Sequence, residues 1–264
     1  MILVDKVAIS FNRGTPLEMH ALRGVTVDIP QGQFLTVIGS NGAGKSTLLN
    51  IVAGELLPDS GHVWLDGTDV TSLPIHRRAD KIARLFQDPR AGICEQMTII
   101  ENIAIALSRT SPARLGFAIS SAVRKLACER LAILGLGLEN RLEDRVALLS
   151  GGQRQALSLI MATVGPTTIL LLDEHTAALD PSAADQVMKL TDDVVRSFGI
   201  TTLMVTHSMR QALDYGSRII MLHQGKIILD VSGTERAAMD VPDLLKFFRL
   251  KQGTDLADDQ LVLA

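Results

Sequence analysis

The chain has 264 residues, 47% of them hydrophobic and only 3% aromatic, so an aliphatic core can support one large domain or a domain with an inserted lobe. A formal net charge of −3 and a pI near 6.1, with no long basic stripe, argue against nucleic acid as the main partner. Cys94 and Cys128 stand at neither metal-ligand nor disulfide-framework spacing and read as ordinary, partly buried thiols of a reducing compartment. No apolar run approaches the roughly 20 residues that span a bilayer, and no leader-like segment opens the chain, so any membrane role is expected to come through a partner.

In chain order, residues 2–11 and 25–29 alternate as strands do, and residues 33–38 form a short apolar, β-branched run typical of a buried strand. The next nine residues are Gly39, Ser40, Asn41, Gly42, Ala43, Gly44, Lys45, Ser46 and Thr47, which fit G-x-x-x-x-G-K-[ST]. Leu48, Leu49, Ile51 and Val52 then recur at helical spacing, with Gly54 as the stop. Glycines let the backbone turn so that successive N–H groups face one concavity, and the helix N-terminus behind it favours an anion. In that setting Lys45 reaches the β- and γ-phosphates and the Ser46 hydroxyl holds Mg²⁺. Four constrained positions recur by chance in about one chain in a hundred of this length, so the stretch is read as a nucleotide phosphate site rather than a glycine-rich connection.

Residues 62–65 predict a strand entering a turn at Asp66-Gly67, giving an antiparallel flap beside a parallel core. Phe11, taken alone, reads as a core or edge residue. A strand at 82–86 precedes Gln87, and Asp88-Pro89 forces the chain out of regular structure. From 88 to 164 the pattern turns helical, at 99–107 and 122–134, with Pro112 and Gly116 breaking the middle; this predicts an inserted helical lobe. At its far end Leu149, Ser150, Gly151, Gly152 and Gln153 lead into a helix at 154–164. A serine and two glycines at a helix start form an anion cradle, and an N-cap without a ligand explains the serine but not the whole run.

Residues 169–172 are continuously apolar, as in a central parallel strand, and end in Asp173 and Glu174. Carboxylates there stand where α/β sheets bind ligands; without the phosphate loop the pair would read as a surface turn. Asp180-Pro181 starts a helix to about Phe198, a buried strand follows at 202–205, and His207 lies just past its end. Residues 218–222 and 226–230, joined through Gln224-Gly225, read as a closing hairpin. Beyond Asp240 come a short apolar helix, 244–248, and a polar, acidic tail without a functional reading.

On these motifs nearly the whole chain resembles the ATP-binding subunits of ATP-binding-cassette (ABC) transporters. Residues 39–47 are similar to the family's Walker A loop, 149–153 match its LSGGQ signature letter for letter, and 169–173 resemble Walker B, with Glu174 in the place of the catalytic carboxylate. Gln87 matches the Q-loop glutamine, Asp180 the D-loop aspartate and His207 the switch histidine, while Phe11 falls where the family stacks an aromatic on adenine. The implied fold is α/β: a P-loop NTPase (RecA-like) parallel core with an N-terminal antiparallel β subdomain and an inserted helical subdomain. Residues 1–87 and 165–239 would be flap and core, 88–164 the lobe and 240–264 a tail. Two departures stand out. His175 replaces the family proline, which puts local rigidity in doubt, and Leu159-Ile160-Met161-Ala162-Thr163 replaces the common Ala-Arg-Ala, altering contacts on the lobe's surface.

The resemblance implies an ATPase with ATP and Mg²⁺ as its ligands. Lys45 and the backbone of residues 42–47 would hold phosphates; Ser46 and Gln87 would coordinate Mg²⁺, with Asp173 bound directly or through water. Glu174 would act as general base and His207 would contact the γ-phosphate, making Glu174, His207, Gln87 and Lys45 the catalytic set. Ser150, Gly151, Gly152, Gln153 and Asp180 of one copy would close over the nucleotide of another, in a homodimer or a pair with a second ABC subunit. A membrane permease would dock beside Gln87 and the helical lobe, near residues 88–97, on the cytoplasmic face of the inner membrane, with a substrate-binding protein as indirect partner. Separate subunits resemble bacterial importers, and the run at 173–181, DEHTAALDP, is similar to cassettes paired with branched-chain and aromatic amino-acid permeases. The alternatives are a soluble ABC ATPase of the iron–sulfur assembly type and a subunit of a lipid exporter.

Overall fold

The computed structural model describes residues 1–109 and 119–252, so the breaks expected at Pro112 and Gly116 and the far end of the tail lie outside the described residues. The elements are β1 (Ile2–Phe11), β2 (Met19–Ile29), β3 (Phe34–Gly39), α1 (Lys45–Ala53), β4 (Ser60–Leu65), β5 (Thr68–Asp69), α2 (Ile75–Arg78), β6 (Ile82–Leu85), α3 (Ile99–Ser108) and α4 (Ser121–Ala132). They continue with α5 (Gly151–Thr163), β7 (Ile169–Asp173), α6 (Pro181–Phe198), β8 (Thr201–Val205), α7 (Met209–Asp214), β9 (Arg218–His223), β10 (Lys226–Ser232), α8 (Gly233–Ala237) and α9 (Val241–Gln252). Contacts group them into two units, one combining residues 1–78 with those from 201 onward, the other comprising Ala79–Ile200.

In the first unit β1 alternates inward Ile2, Val4, Val7 and Ile9 with more exposed residues, as the period of a strand requires. It lies in an antiparallel sheet of order β2-β1-β4-β5, the expected flap. β2 is longer than the stretch 25–29 because its irregular first half still pairs with β1, from Ala8↔Arg23 to Phe11↔Met19. β3, buried along its whole length, runs parallel to both β8 and β9, and β10 pairs antiparallel with β9. The β9–β10 turn places Gln224 at φ 46° and Gly225 at φ 78°, the positive pair of a two-residue hairpin. Helices α7 and α9 cover this sheet, burying Met209, Leu244 and Phe248 against Ile38, Ile219 and Met221. α9 starts before the expected 244 because Asp240 and Asp243 exchange side-chain-to-backbone hydrogen bonds at its N-terminus.

In the second unit β6 pairs parallel with β7, whose Ile169, Leu170, Leu171 and Leu172 are all buried. The helices close around Ile99, Ile100, Ile103, Leu131, Leu157 and Ile160. α3 begins at a capping box between Thr98 and Glu101. α6 is amphipathic, with Val187, Met188, Val194 and Val195 buried; Asp180 caps it, Pro181 opens it and Gly199 ends it in a left-handed turn. The expected lobe, 88–164, falls wholly inside this unit together with β6, β7 and α6. One expectation is corrected: Cys94 is exposed rather than partly buried, since buried Asn102 anchors its backbone N–H and C=O and the thiol is left outside; Cys128 is half-buried.

Candidate nucleotide site

The loop after β3 returns on itself at two glycines that no other residue could replace without displacement. Gly39 has φ 149°, and a β-carbon there would lie 2.2 Å from the Leu222 carbonyl oxygen; Gly44 has φ 102°, with 2.4 Å to the Ala21 oxygen. The loop is braced from both sides, since Gly225 N–H donates to Ala43 O and Arg23 N–H donates to Gly225 O. No side chain caps the N-terminus of α1, whose Ncap is Gly44, and no acidic residue stands in its first turn. The N–H groups and positive dipole end therefore form an anion cradle. Lys45 is buried and donates to Gly39 O at 2.8 Å and Ser40 O at 2.9 Å, holding its ammonium over the loop. Ser46 is exposed and Thr47 half-buried. Arg78, 3% exposed, locks the other end of this helix: its five N–H donors reach the carbonyls of Leu73, Ile51, Val52, Val70 and Thr71.

In the same unit His207 is half-buried just beyond β8, ahead of Ser208, the cap of α7. Phe11 ends β1 half-buried opposite Met19.

In the second unit Asp173 ends β7, and Arg84 of β6 meets its carboxylate at 2.6 Å. Arg84 escaped the sequence reading, although a lone cation in a buried parallel strand signals an opposite charge nearby. Glu174 follows at φ 48°, a left-handed conformation uncommon outside glycine and concentrated at functional sites. His175, where the family has proline, is buried, and its Nε2 lies 3.2 Å from Thr191 Oγ1 on α6. Thr191 gives its own proton to Val187 O at 2.8 Å, so His175 Nε2 is the donor in this contact. Burial pushes its pKa down to about 4. This histidine tethers the turn that the proline would have stiffened. Gln87 is exposed after β6.

The signature run has more local structure than a bare cap. Ser150 Oγ accepts from Gln153 N–H while Gln153 Oε1 accepts from Ser150 N–H, a reciprocal capping box that starts α5 at Gly151 rather than at 154. A β-carbon on Gly151 would press on Leu179, and one on Gly152 on Ala183, both at 3.3 Å. Close helix packing therefore accounts for the two glycines, and the hydroxyl proton of exposed Ser150 remains available to an outside acceptor. Asp180, also exposed, caps α6 by accepting from Ala183 N–H at 3.0 Å.

For Mg²⁺ the expected donors are a hydroxyl (Ser46), an amide (Gln87) and a carboxylate (Asp173), the hard oxygens this ion takes, and they suit a cation that keeps phosphate and water in its shell. Among the described residues no group of three His, Cys, Asp or Glu side chains forms a protein-only metal cage.

A glycine-turned phosphate cradle after a buried parallel strand, with paired acids ending another, defines an α/β P-loop nucleoside triphosphatase. Residues 22–177 match the ABC transporter family, and the chain belongs to it. The tyrosine transport ATP-binding protein of Clostridioides difficile is 45% identical over 224 residues, 85% of this chain and 89% of its own length. The energy-coupling factor transporter ATP-binding protein EcfA2 of Ligilactobacillus salivarius is 32% identical over 262 residues, 97% of this chain and 87% of its own. A solved dimeric ATP-binding cassette in a post-hydrolysis state, bound to ADP and Pi, aligns with a TM-score of 0.73 at 29% identity, covering 88% of this chain and 98% of that one. The chain is thus an ATP-binding ATPase subunit coupled to transport. Among the described residues no helix is long and apolar enough to cross a membrane.

Proposed function

We propose that two copies of this chain, or one copy and a related subunit, close around ATP and drive a separate membrane permease that imports a small solute such as an amino acid. The observation that carries this reading is the phosphate cradle at Gly39–Gly44–Lys45 in a chain 45% identical to a tyrosine transport ATP-binding protein. Lys45 and the backbone of residues 42–47 hold the phosphates, and Phe11 stacks on the base. Ser46, Gln87 and Asp173 hold Mg²⁺, which neutralises phosphate charge when bound. Glu174 takes the proton of the attacking water and His207 meets the γ-phosphate. Ser150, with the N–H groups of Gly151 and Gly152, offers donors to the nucleotide of the opposite copy, with Gln153 and Asp180 beside it; a dimeric relative supports this closure. The subunit sits peripherally on the cytoplasmic face of the membrane, and the permease docks beside Gln87, along residues 88–97.

Glu174→Gln tests the chemistry: turnover is abolished and an ATP-bound dimer accumulates on size exclusion. Hydrolysis at the wild-type rate in that variant removes Glu174 from the role of base. Co-purification with a multi-span membrane protein tests the transport assignment.

A further inference from the structure

A cleft of about 180 Å³ opens within the second unit, between the segment after β6 and helices α3 and α5. Phe86, Ile105 and Met161 give it apolar walls, and Gln155 and Ser158, one helical turn apart on α5, contribute polar atoms to its lining. Gln155 is completely buried; its Nε2 donates to Phe86 O at 3.4 Å, which leaves Oε1 as an acceptor, and Oε1 meets no donor. Ser158 is 6% exposed, and its Oγ also has no hydrogen-bond partner. Further along the same helix Thr163 donates back to Leu159 O at 2.8 Å, a local bond that Ser158 does not make. Two buried polar atoms without a protein partner carry a desolvation penalty that an incoming hydrogen-bonding group removes. The cleft is about ten times the volume one water needs, so a single solvent molecule does not fill it.

We infer that this cleft receives one uncharged, hydrogen-bond-donating side chain (serine, threonine, asparagine or glutamine) from the permease, flanked by apolar residues that cover Ile105 and Met161. Gln155 Oε1 demands a donor, which excludes a carboxylate at that point. Arg84, already paired with Asp173, lines the cleft together with Arg109 and Asp88; these charges offset one another, so an incoming lysine or arginine finds no free counter-charge for its desolvation. Ile105 is 48% exposed, so it presents apolar surface for the flanking contact. The inference rests on the docking reading above and adds the chemistry of what docks.

The test uses the full-length subunit alone and the purified complex with its permease, in two variants. Ser158→Ala removes an unsatisfied hydroxyl from the free subunit and a bonded one from the complex. The isolated subunit should therefore melt at the same or a higher temperature, while affinity for the permease falls about 5- to 10-fold. Ile105→Glu puts a charge on the rim and should abolish assembly. If Ile105→Glu assembles normally, the docking reading itself fails. If Ile105→Glu blocks assembly while Ser158→Ala binds as wild type, docking stands and the donor inference is overturned. A lower melting temperature for isolated Ser158→Ala also overturns it, because the hydroxyl would then be bonded in the free subunit.

Discussion

Replacing His175 by glutamine should change how the stability of this protein depends on pH. The ring is 2% exposed, its one hydrogen bond goes to Thr191, and burial holds its pKa near 4 against an ordinary 6.5. About one unit above pH 6.5 and higher, the histidine is essentially neutral in both folded and unfolded chains and contributes little pH dependence. As pH falls through the window from 6.5 to about 4 the unfolded chain takes up a proton that the folded chain refuses, so stability is lost. The loss reaches about 2 kcal/mol by about pH 5 and about 3 kcal/mol once both states are protonated. Urea unfolding followed by circular dichroism at about pH 7.5, 6 and 5 gives stability for wild type and His175→Gln. Carboxylates titrate equally in both proteins, so the difference between the curves isolates the histidine. Parallel curves, within about half a kcal/mol throughout, would refute a buried neutral ring.

Arg78→Met takes away the guanidinium bonds to Ile51 O and Val52 O at the end of α1, of which Ile51 O keeps the Gly54 N–H, and should cost about 3–5 kcal/mol in urea unfolding. A loss below about 1 kcal/mol would mean that water substitutes for the guanidinium. Ser150→Ala removes half of a capping box and should cost about 1 kcal/mol of stability. ATPase activity should drop far more than that loss implies, and an activity loss accounted for by unfolding alone would leave the serine purely structural.

The parts of the fold visible in the sequence were those written in one local signal. β7 is an unbroken apolar run up to Leu172, β3 and β8 depart from one only by buried threonines, and the phosphate loop is spelled by glycines, at two of which the neighbours forbid a side chain. The short helices α2, α7 and α8 were not visible, because caps and distant guanidinium groups hold them rather than a hydrophobic period. Arg236, for example, donates to three carbonyls at the end of α7. Arg78 was equally silent, since its acceptors include carbonyls 26 and 27 residues away in the chain. At the candidate site the positions of Lys45, Asp173 and Ser150 could be read directly. The Arg84–Asp173 pair and the capping bond from Gln153 could not, because each depends on how a side chain is aimed.

The bracing of the phosphate loop also bears on how the molecule is made. Its strand, β3, is flanked by β8 and β9, and the turn that supports Ala43 lies at Gly225. During synthesis from the N-terminus, Gly39 to Thr47 leave the ribosome long before those supports exist, and residues 79–200 are translated in between. The nascent chain therefore completes its nucleotide cradle only once β9 and its turn have emerged, so full affinity for ATP comes late in translation.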